Sequence, residues 1–478
     1  MSALQDHSGG LARHSVNPFE VGAQSVANIA PSAVIAFGPA YMAASTGNSS
    51  WLAFLVATLI TLVIAWCIVA FARQRAGVGS LYSLVHPVFG AKGSFVTGWA
   101  LWVGVIGIAS GSLAGAGFFG ARVIDRIGWD GLTTIPGQVI LQIALILVAM
   151  RLTVASVRIA ARAAAILEIF SISLLVLIFL FIMTKSGIVF DSAQLDFSNM
   201  TLGGFGFAVV LGILGFVGFE SAAALGEEAK DRYRAIPRAV LGSAILAGVI
   251  YVFATYMEIA QFKGGATALA VSASPMDDLV EQYGLGGLRA FIDLGFTSSF
   301  FAVVVATINV AARLLFGMSK EGLLPAFLGR AHPTHRTPMN AIYTVIPIVV
   351  VPAVVLVAYG AAPLNVTTWI DTVGVFGYML AYAMVCAGAP LFLRKQGTGG
   401  VAAVTVTGIL GIIALAWVFY QNIIPVPAFP LNVLPYAFLV AFLVGVVGYA
   451  AIFVRDPKTA AQAGTYADDA VIEALAIS

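Results

Sequence analysis

The chain has 478 residues, of which 60% are apolar and only 10% charged, and 24 Lys+Arg against 22 Asp+Glu leave a net charge of +2. The apolar excess excludes a water-soluble multidomain enzyme, and the absence of a basic field excludes nucleic acid as a main partner. Residues 1–19 are polar and lack a short apolar core before a small-residue cleavage site, so no cleaved signal is expected.

A bilayer core of about 30 Å takes roughly 20 apolar residues per helix. Runs of that length predict an all-α polytopic membrane protein with twelve spans, at 20–45, 50–72, 94–121, 136–150, 160–183, 203–226, 237–262, 288–317, 340–360, 367–393, 401–420 and 434–454. The links are short, and the tails 1–19 and 455–478 are too small to fold as soluble domains. An even number of spans puts both tails on one side. Of the 24 basic residues, nineteen then share that side, and Arg122, Arg126, Lys185, Lys263 and Arg289 face the other. Short loops rich in Lys and Arg stay inside, so both tails are expected in the cytoplasm and the protein in the cytoplasmic membrane.

The first five spans (20–183) and the next five (203–393) are two odd-numbered sets, which therefore enter the membrane with opposite orientation; spans 11 and 12 (401–454) follow them. If the two sets share a structure, this is a five-plus-five inverted repeat, in which matching helix breaks mark the transport site. The first helix of each set carries a break signal. Span 1 contains Asn28-Ile29-Ala30-Pro31-Ser32, and Pro31 has no N–H for the helix ladder. Span 6 contains Gly203, Gly204, Gly206, Gly212, Gly215 and Gly218, followed at once by Glu220. Close helix packing or a simple kink is the alternative, since glycine and proline are common in membrane helices.

An acidic side chain at the bilayer centre costs about 2.5–3.5 kcal/mol and needs a partner or a water-filled cavity. Glu220, one turn or less beyond the span 6 break, is the first candidate for ion coupling, the alternative being a cap on the second half-helix. Glu168, near the start of span 5, is either a second coupling residue or a partner for Arg162 or Arg158. Glu258 and Asp293 lie near the outer ends of spans 7 and 8, where pairing with Lys263 and Arg289 suffices, and Asp371 opens span 10 as an interfacial residue. The loops Gly226–Arg238 and Met318–Phe327 mix both signs of charge, as a solvated loop or a closing network would.

Several chemistries are absent. All five histidines, His7, His14, His86, His332 and His335, fall in tails or loops, so no intramembrane zinc site is expected. No lysine follows a glycine as in a Walker loop, and Gly115-Ala-Gly117-Phe-Phe-Gly120 lies in an apolar span without a preceding strand, as a packing motif. Cys67 and Cys386 both sit in apolar runs. No cofactor is expected, and energy must come from an ion gradient or from exchange.

At these motifs the sequence resembles the amino acid–polyamine–organocation superfamily of permeases. The residues that carry the likeness are Gly218-Phe219-Glu220 with Glu227-Glu228 and Ile236-Pro237-Arg238; Ala312-Arg313, Met318, Glu321-Gly322-Leu323-Leu324-Pro325 and Thr337-Pro338-Met339-Asn340-Ala341; and Ala76-Gly77, Gly79-Ser80, Tyr82 and Gly98-Trp99. The resemblance implies the five-plus-five inverted-repeat fold with discontinuous helices 1 and 6 holding the substrate. Carried over by position, Pro31, Ser32, Ala33 and Val34 would meet a substrate carboxylate through backbone N–H groups, Leu214, Val217 and Gly218 would line the opposite side, and Trp102 and Thr307 would form walls. Where relatives have a glycine–small–glycine run at the first break, this chain has Pro31-Ser32-Ala33-Val34; Leu214 replaces an aromatic gate, and Arg232 a proline. Glu168 lies near the position of a span 5 lysine that stands in for sodium in some relatives, which makes a proton on Glu168, or a cation beside it with Ser298 and Ser299 as oxygen ligands, conceivable. The expected function is a secondary active permease for a small amino acid or amine, coupled to H+ or Na+. The same fold also serves polyamines, organic cations, nucleobases and exchangers.

Overall fold

A computed structural model describes residues 11–75, 79–197, 200–272, 274–424, 426 and 428–466. The tail residues 1–10 and 467–478, with His7, and the motif residues Ala76 and Gly77 lie outside the described residues.

The helices, in chain order, are α1 Pro18–Ile29, α2 Pro31–Ile35, α3 Gly38–Thr46, α4 Ser50–Ala72, α5 Leu81–Leu84, α6 His86–Arg126, α7 Ile135–Ala155, α8 Val157–Ser186 and α9 Leu202–Leu214. The second half continues with α10 Arg232–Gln261, α11 Gly265–Leu269, α12 Pro275–Gln282, α13 Arg289–Lys320, α14 Met339–Ala358, α15 Pro363–Gln396, α16 Val401–Gln421, α17 Leu434–Arg455 and α18 Pro457–Ala460. Among the described residues the extended backbone contributes one isolated parallel bridge, Val16 to Ala229.

Ten helical stretches among the described residues are long and apolar enough to cross a membrane, and all lie within the expected apolar runs or extend them. The expected short span at 136–150 is the full helix α7, and the third span extends back to His86 across a kink at Gly90 (φ 63°). Two expected spans are not single helices. Residues 18–46 form α1, α2 and α3 in succession, and α9 stops after 13 residues, ahead of a short 3-10 turn at Ser221–Leu225.

Burial sorts the helices into a centre and a rim. In α13 the whole of the most apolar window is buried, whereas in α17 only 11% is, so α17 turns its Leu and Val side chains outward as a lipid-facing helix does. The centre is held by close backbone approach. A Cβ on Gly107 of α6 would stand 2.6 Å from the Gly374 Cα, and one on Gly377 of α15 would stand 2.3 Å from the Ala100 carbonyl. In lipid, where apolar burial gives helices no mutual preference, such small-residue seams gain their stability from packing. Lengthening either glycine would part α6 from α15.

α6 and α13 run antiparallel, because Arg126 at the C-terminal end of α6 binds Asp293 at the N-terminal end of α13. Their other ends meet at Tyr82 and Glu321, where residues 11–17 and 456–466 also gather. These are named below the far end and the tail end.

Candidate functional site

The first break is written by backbone chemistry. Asn17 caps α1 through a reciprocal pair with Glu20 (3.0 and 2.8 Å), and Pro18 needs no N–H at the first position. Twelve residues on, Ala30 turns into the left-handed region (φ 48°, ψ 66°), and Pro31 restarts the helix as α2. For an alanine that conformation costs about 1–2 kcal/mol, so the surroundings must hold it. They do so at the start of α2, where the Ser32 N–H and hydroxyl both donate to Glu168 Oε1 at 3.2 Å and the Ala33 N–H donates to Ser299 Oγ at 3.1 Å. A carboxylate and a hydroxyl from α8 and α13 therefore occupy the positive end of the half-helix.

The second break faces the first. Beyond α9, Gly218 has φ +98°, and a Cβ there would stand 2.7 Å from Asn28 Nδ2 and 3.1 Å from the Asn28 carbonyl. Only glycine fits. The loosened backbone is satisfied by side chains: Tyr251 donates to Gly215 O at 2.6 Å, Asn28 Nδ2 to Gly218 O at 3.4 Å, and the Gly218 N–H donates to the Tyr382 hydroxyl at 3.2 Å. That hydroxyl in turn donates to Glu220 Oε2 in a short hydrogen bond, while Glu220 Oε1, fully buried, has no partner. Ser221 and Ala222 are tied back to α1 through Gln24 O and Ser25 Oγ. The two breaks are thus one hydrogen-bonded unit, with Tyr382 of α15 joining the Gly218 amide to the Glu220 carboxylate.

Two cavities lead towards this unit from the far end. The outer one, ≈ 140 Å³, is walled by Phe118, Phe119, Phe296 and the Arg122, Asp277, Asp293 group. The inner one, ≈ 180 Å³, reaches Val34, Leu214, Gly215, Thr372 and Asp371. They share Phe37, Tyr41 and Thr368 as walls. At the mouth Arg122 and Arg126 both bridge Asp277 to Asp293, with Arg126 2.5 Å from Asp293 and 2.6 Å from Asp277.

The tail end is closed. Arg313, itself buried, forks onto both oxygens of buried Glu228 (2.7 and 2.9 Å) and donates to Asn309 O. Val16 donates to Glu228 O and Lys230 to Val16 O, so the N-terminal segment is tied to the backbone beside that pair. Glu20 holds Arg162 at 2.6 Å. Across α5 and α13, Tyr82 donates to Glu321, and the amides of Gly464 and Tyr466 donate to Tyr82 and Glu321 at 2.9 Å. Burial pushes the Glu321 carboxyl up to about 7, and burial does the same to Glu227, also to about 7, against the pull of Arg13.

The sequence-expected site residues fall into two groups. Val34 and Leu214 line the inner cavity, whereas Pro31, Ser32 and Ala33 are buried, with the Ser32 and Ala33 amides already engaged. Val217 and Gly218 lie at the second break; Trp102 stacks on Trp99 at 4.8 Å with its indole N–H unpartnered, and the Thr307 hydroxyl donates into its own helix at Val303 O. Ser298 is buried beside Ser299, and no group of three His, Cys, Asp or Glu side chains poised for a metal occurs among the described residues.

Three pairings and one position need correction. Glu168 binds Ser32, and the arginines expected for it serve Glu20 instead. Asp293 pairs with Arg122 and Arg126, while Arg289 pairs with Glu281. Lys263 donates to Gln282, leaving both oxygens of buried Glu258 unpartnered. Asp371 is not at the start of a span: α15 begins at Pro363, which carries Asp371 two turns into the helix and onto the cavity wall. Sequence reasoning missed Tyr382 and Tyr251, whose only signal is a hydroxyl inside an apolar run.

The profile of the family described as "Amino acid permease" matches residues 23–449. The chain is 24% identical over 63% of its length to the branched-chain amino acid permease BcaP of Bacillus subtilis, covering 66% of that protein. It is 25% identical over 72% of its length to BcaP of Lactococcus lactis subsp. cremoris, covering 74% of it. To the low-affinity putrescine importer PlaP of Escherichia coli it is 31% identical over 36% of the chain and 35% of the relative.

Proposed function

Because the chain belongs to the amino acid permease family of the amino acid–polyamine–organocation superfamily, we propose that it is a secondary active permease, moving a small amino acid or related amine across the cytoplasmic membrane by alternating access with proton coupling. In this reading the broken segments 18–46 and 202–225 are the first and sixth of twelve spans, the two five-helix sets form an inverted repeat, and both tails are cytoplasmic. The far end then faces outward and the tail end inward. The names of the relatives, permeases for branched-chain amino acids and an importer of putrescine, support a solute of this size and chemistry.

One observation carries the reading: two interrupted helices face each other at Asn28 and Gly218, with a buried carboxylate hydrogen-bonded to the same tyrosine that takes the Gly218 amide. Protonating Glu220 removes the charge that holds the Tyr382 hydroxyl, and so alters the support of the break itself. Glu168, which caps α2, is the second coupling residue in this scheme, with Ser298 and Ser299 as the oxygen groups nearest a bound cation. Proteoliposomes carrying Glu220→Gln should keep solute exchange and lose accumulation driven by an imposed pH gradient. Accumulation equal to wild type would remove Glu220 from the coupling.

A further inference from the structure

A groove of ≈ 220 Å³ at the tail end lies apart from the transport path, and none of its lining residues borders the two cavities that lead to the breaks. Its floor is apolar, made by Trp66, Val69 and Ala70 of α4, Leu393 of α15, and Ala403 and Val404 of α16. Trp66 is 41% exposed and only 28% of the most apolar window of α16 is buried, so the groove opens on the face that meets lipid. Its rim is polar: Arg73 and Gln74 follow α4, and Thr398, Gly399 and Gly400 lead into α16.

Arg73 is the residue that gives the groove a sign. Its guanidinium stands over the ring of Trp66, 5.6 Å from the centroid, and Trp66 lies about two turns nearer the middle of α4. A cation at a membrane surface ordinarily reaches out to water. This one folds back towards hydrocarbon. Other cations of the tail end are neutralised, Arg162 by Glu20 and Arg313 by Glu228, whereas Arg73 has no ion pair among the described residues, and a ring face leaves its charge uncancelled. No acidic side chain occurs in residues 21–124 or 372–455, so neither segment that builds the groove contains a counter-charge, while Arg394 and Lys395 adjoin Leu393 of its wall. The rim adds donors of its own, because α16 starts without a side-chain cap and a Cβ on Gly399 or Gly400 would meet nothing within 4 Å. The anion that completes this arrangement comes from outside the chain.

We propose that the groove binds a phospholipid of net negative charge, with its phosphodiester on Arg73 and one acyl chain on the apolar floor between α4 and α16. A guanidinium grips two phosphate oxygens at once, and the floor is continuous with the bilayer that the chain already occupies. The headgroup carries no ammonium, since a choline or ethanolamine nitrogen would sit among Arg73, Arg394 and Lys395 with no carboxylate to receive it. The larger groove at the far end of the same seam, ≈ 570 Å³, is lined by no charged residue and offers no such grip.

The test uses phosphatidylglycerol and phosphatidylcholine with identical acyl chains, titrated into the purified full chain in detergent and counted by native mass spectrometry. Wild type should bind phosphatidylglycerol at least about tenfold more tightly than phosphatidylcholine, Arg73→Gln should lose that preference, and Arg73→Lys should keep part of it. Ala403→Trp fills the floor without changing the charge and should lose the lipid as well. Arg330→Gln removes an exposed tail-end cation outside the groove and should keep it. Equal affinity for the two lipids in wild type, or equal losses in Arg73→Gln and Arg330→Gln, would overturn the site in favour of diffuse attraction. Competition by inorganic phosphate at similar affinity would overturn the lipid as occupant, and a dimer split by Ala403→Trp with no change in bound lipid would put a second copy there instead. The assay involves no transport, so each of these outcomes leaves the permease reading standing.

Discussion

The two ends of the molecule use their charged groups differently. At the tail end Arg313 and Glu228 are each 1% exposed, and the N-terminal segment is bonded to the backbone of Glu228. At the far end Arg122 and Arg126 remain 21% and 22% exposed, and Arg122 bounds a cavity. A buried charge pair is intolerant of losing one partner, whereas a half-wet network can rearrange. The comparison teaches which end is sealed by buried charge in this conformation and which is left hollow.

The hardest way to break the contrast is Arg313→Ala. Leaving Glu228 buried without its fork should cost about 3–5 kcal/mol and lower the yield of monodisperse protein, while the double replacement Arg313→Met with Glu228→Leu should recover most of it. Equal yields for the single and double variants would contradict the assignment. Between the ends, Gly218→Ala forces a left-handed alanine against Asn28, at about 1–2 kcal/mol for the backbone alone, and should abolish exchange while the protein still folds. At the far end Asp293→Asn should cost less than Arg313→Ala, since the neutral replacement leaves no unpaired charge and Asp277 keeps both partly exposed arginines. A melting-temperature loss there as large as that of Arg313→Ala would erase the difference between the ends.

The smallest effect sharpens the comparison by pH. The Glu321 carboxyl titrates near 7 in the folded chain against an ordinary 4.5, because burial favours its neutral form. Its contribution to stability is therefore complete below about pH 4.5 and declines as pH rises through 7. Melting temperatures from pH 5 to 8 should fall more in wild type than in Glu321→Gln, with the remaining slope carried by Glu227, which is raised in the same direction. Parallel curves for the two proteins would refute this.

The breaks were legible because proline and glycine act on their own backbone: Pro31 lacks the N–H and Gly218 alone accepts φ +98°. What caps the breaks was not legible. Glu168 reaches Ser32 across 136 residues, and Tyr382 reaches Glu220 across 162. Local spacing misleads in the same way for Asp293, whose partner Arg126 is 167 residues away while Arg289 is one turn off. Asp371 was lost to a boundary error of one turn, since the polar start of α15 at Pro363 reads as loop.

The cover over Tyr82 and Glu321 also has a birth order. The Tyr466 amide that binds Glu321 is made 145 residues after it, so every helix from α14 to α17 leaves the ribosome before that lid exists. Tyr82 and Glu321 therefore wait for their amide donors until the segment that follows α17 folds back over its own earlier turns.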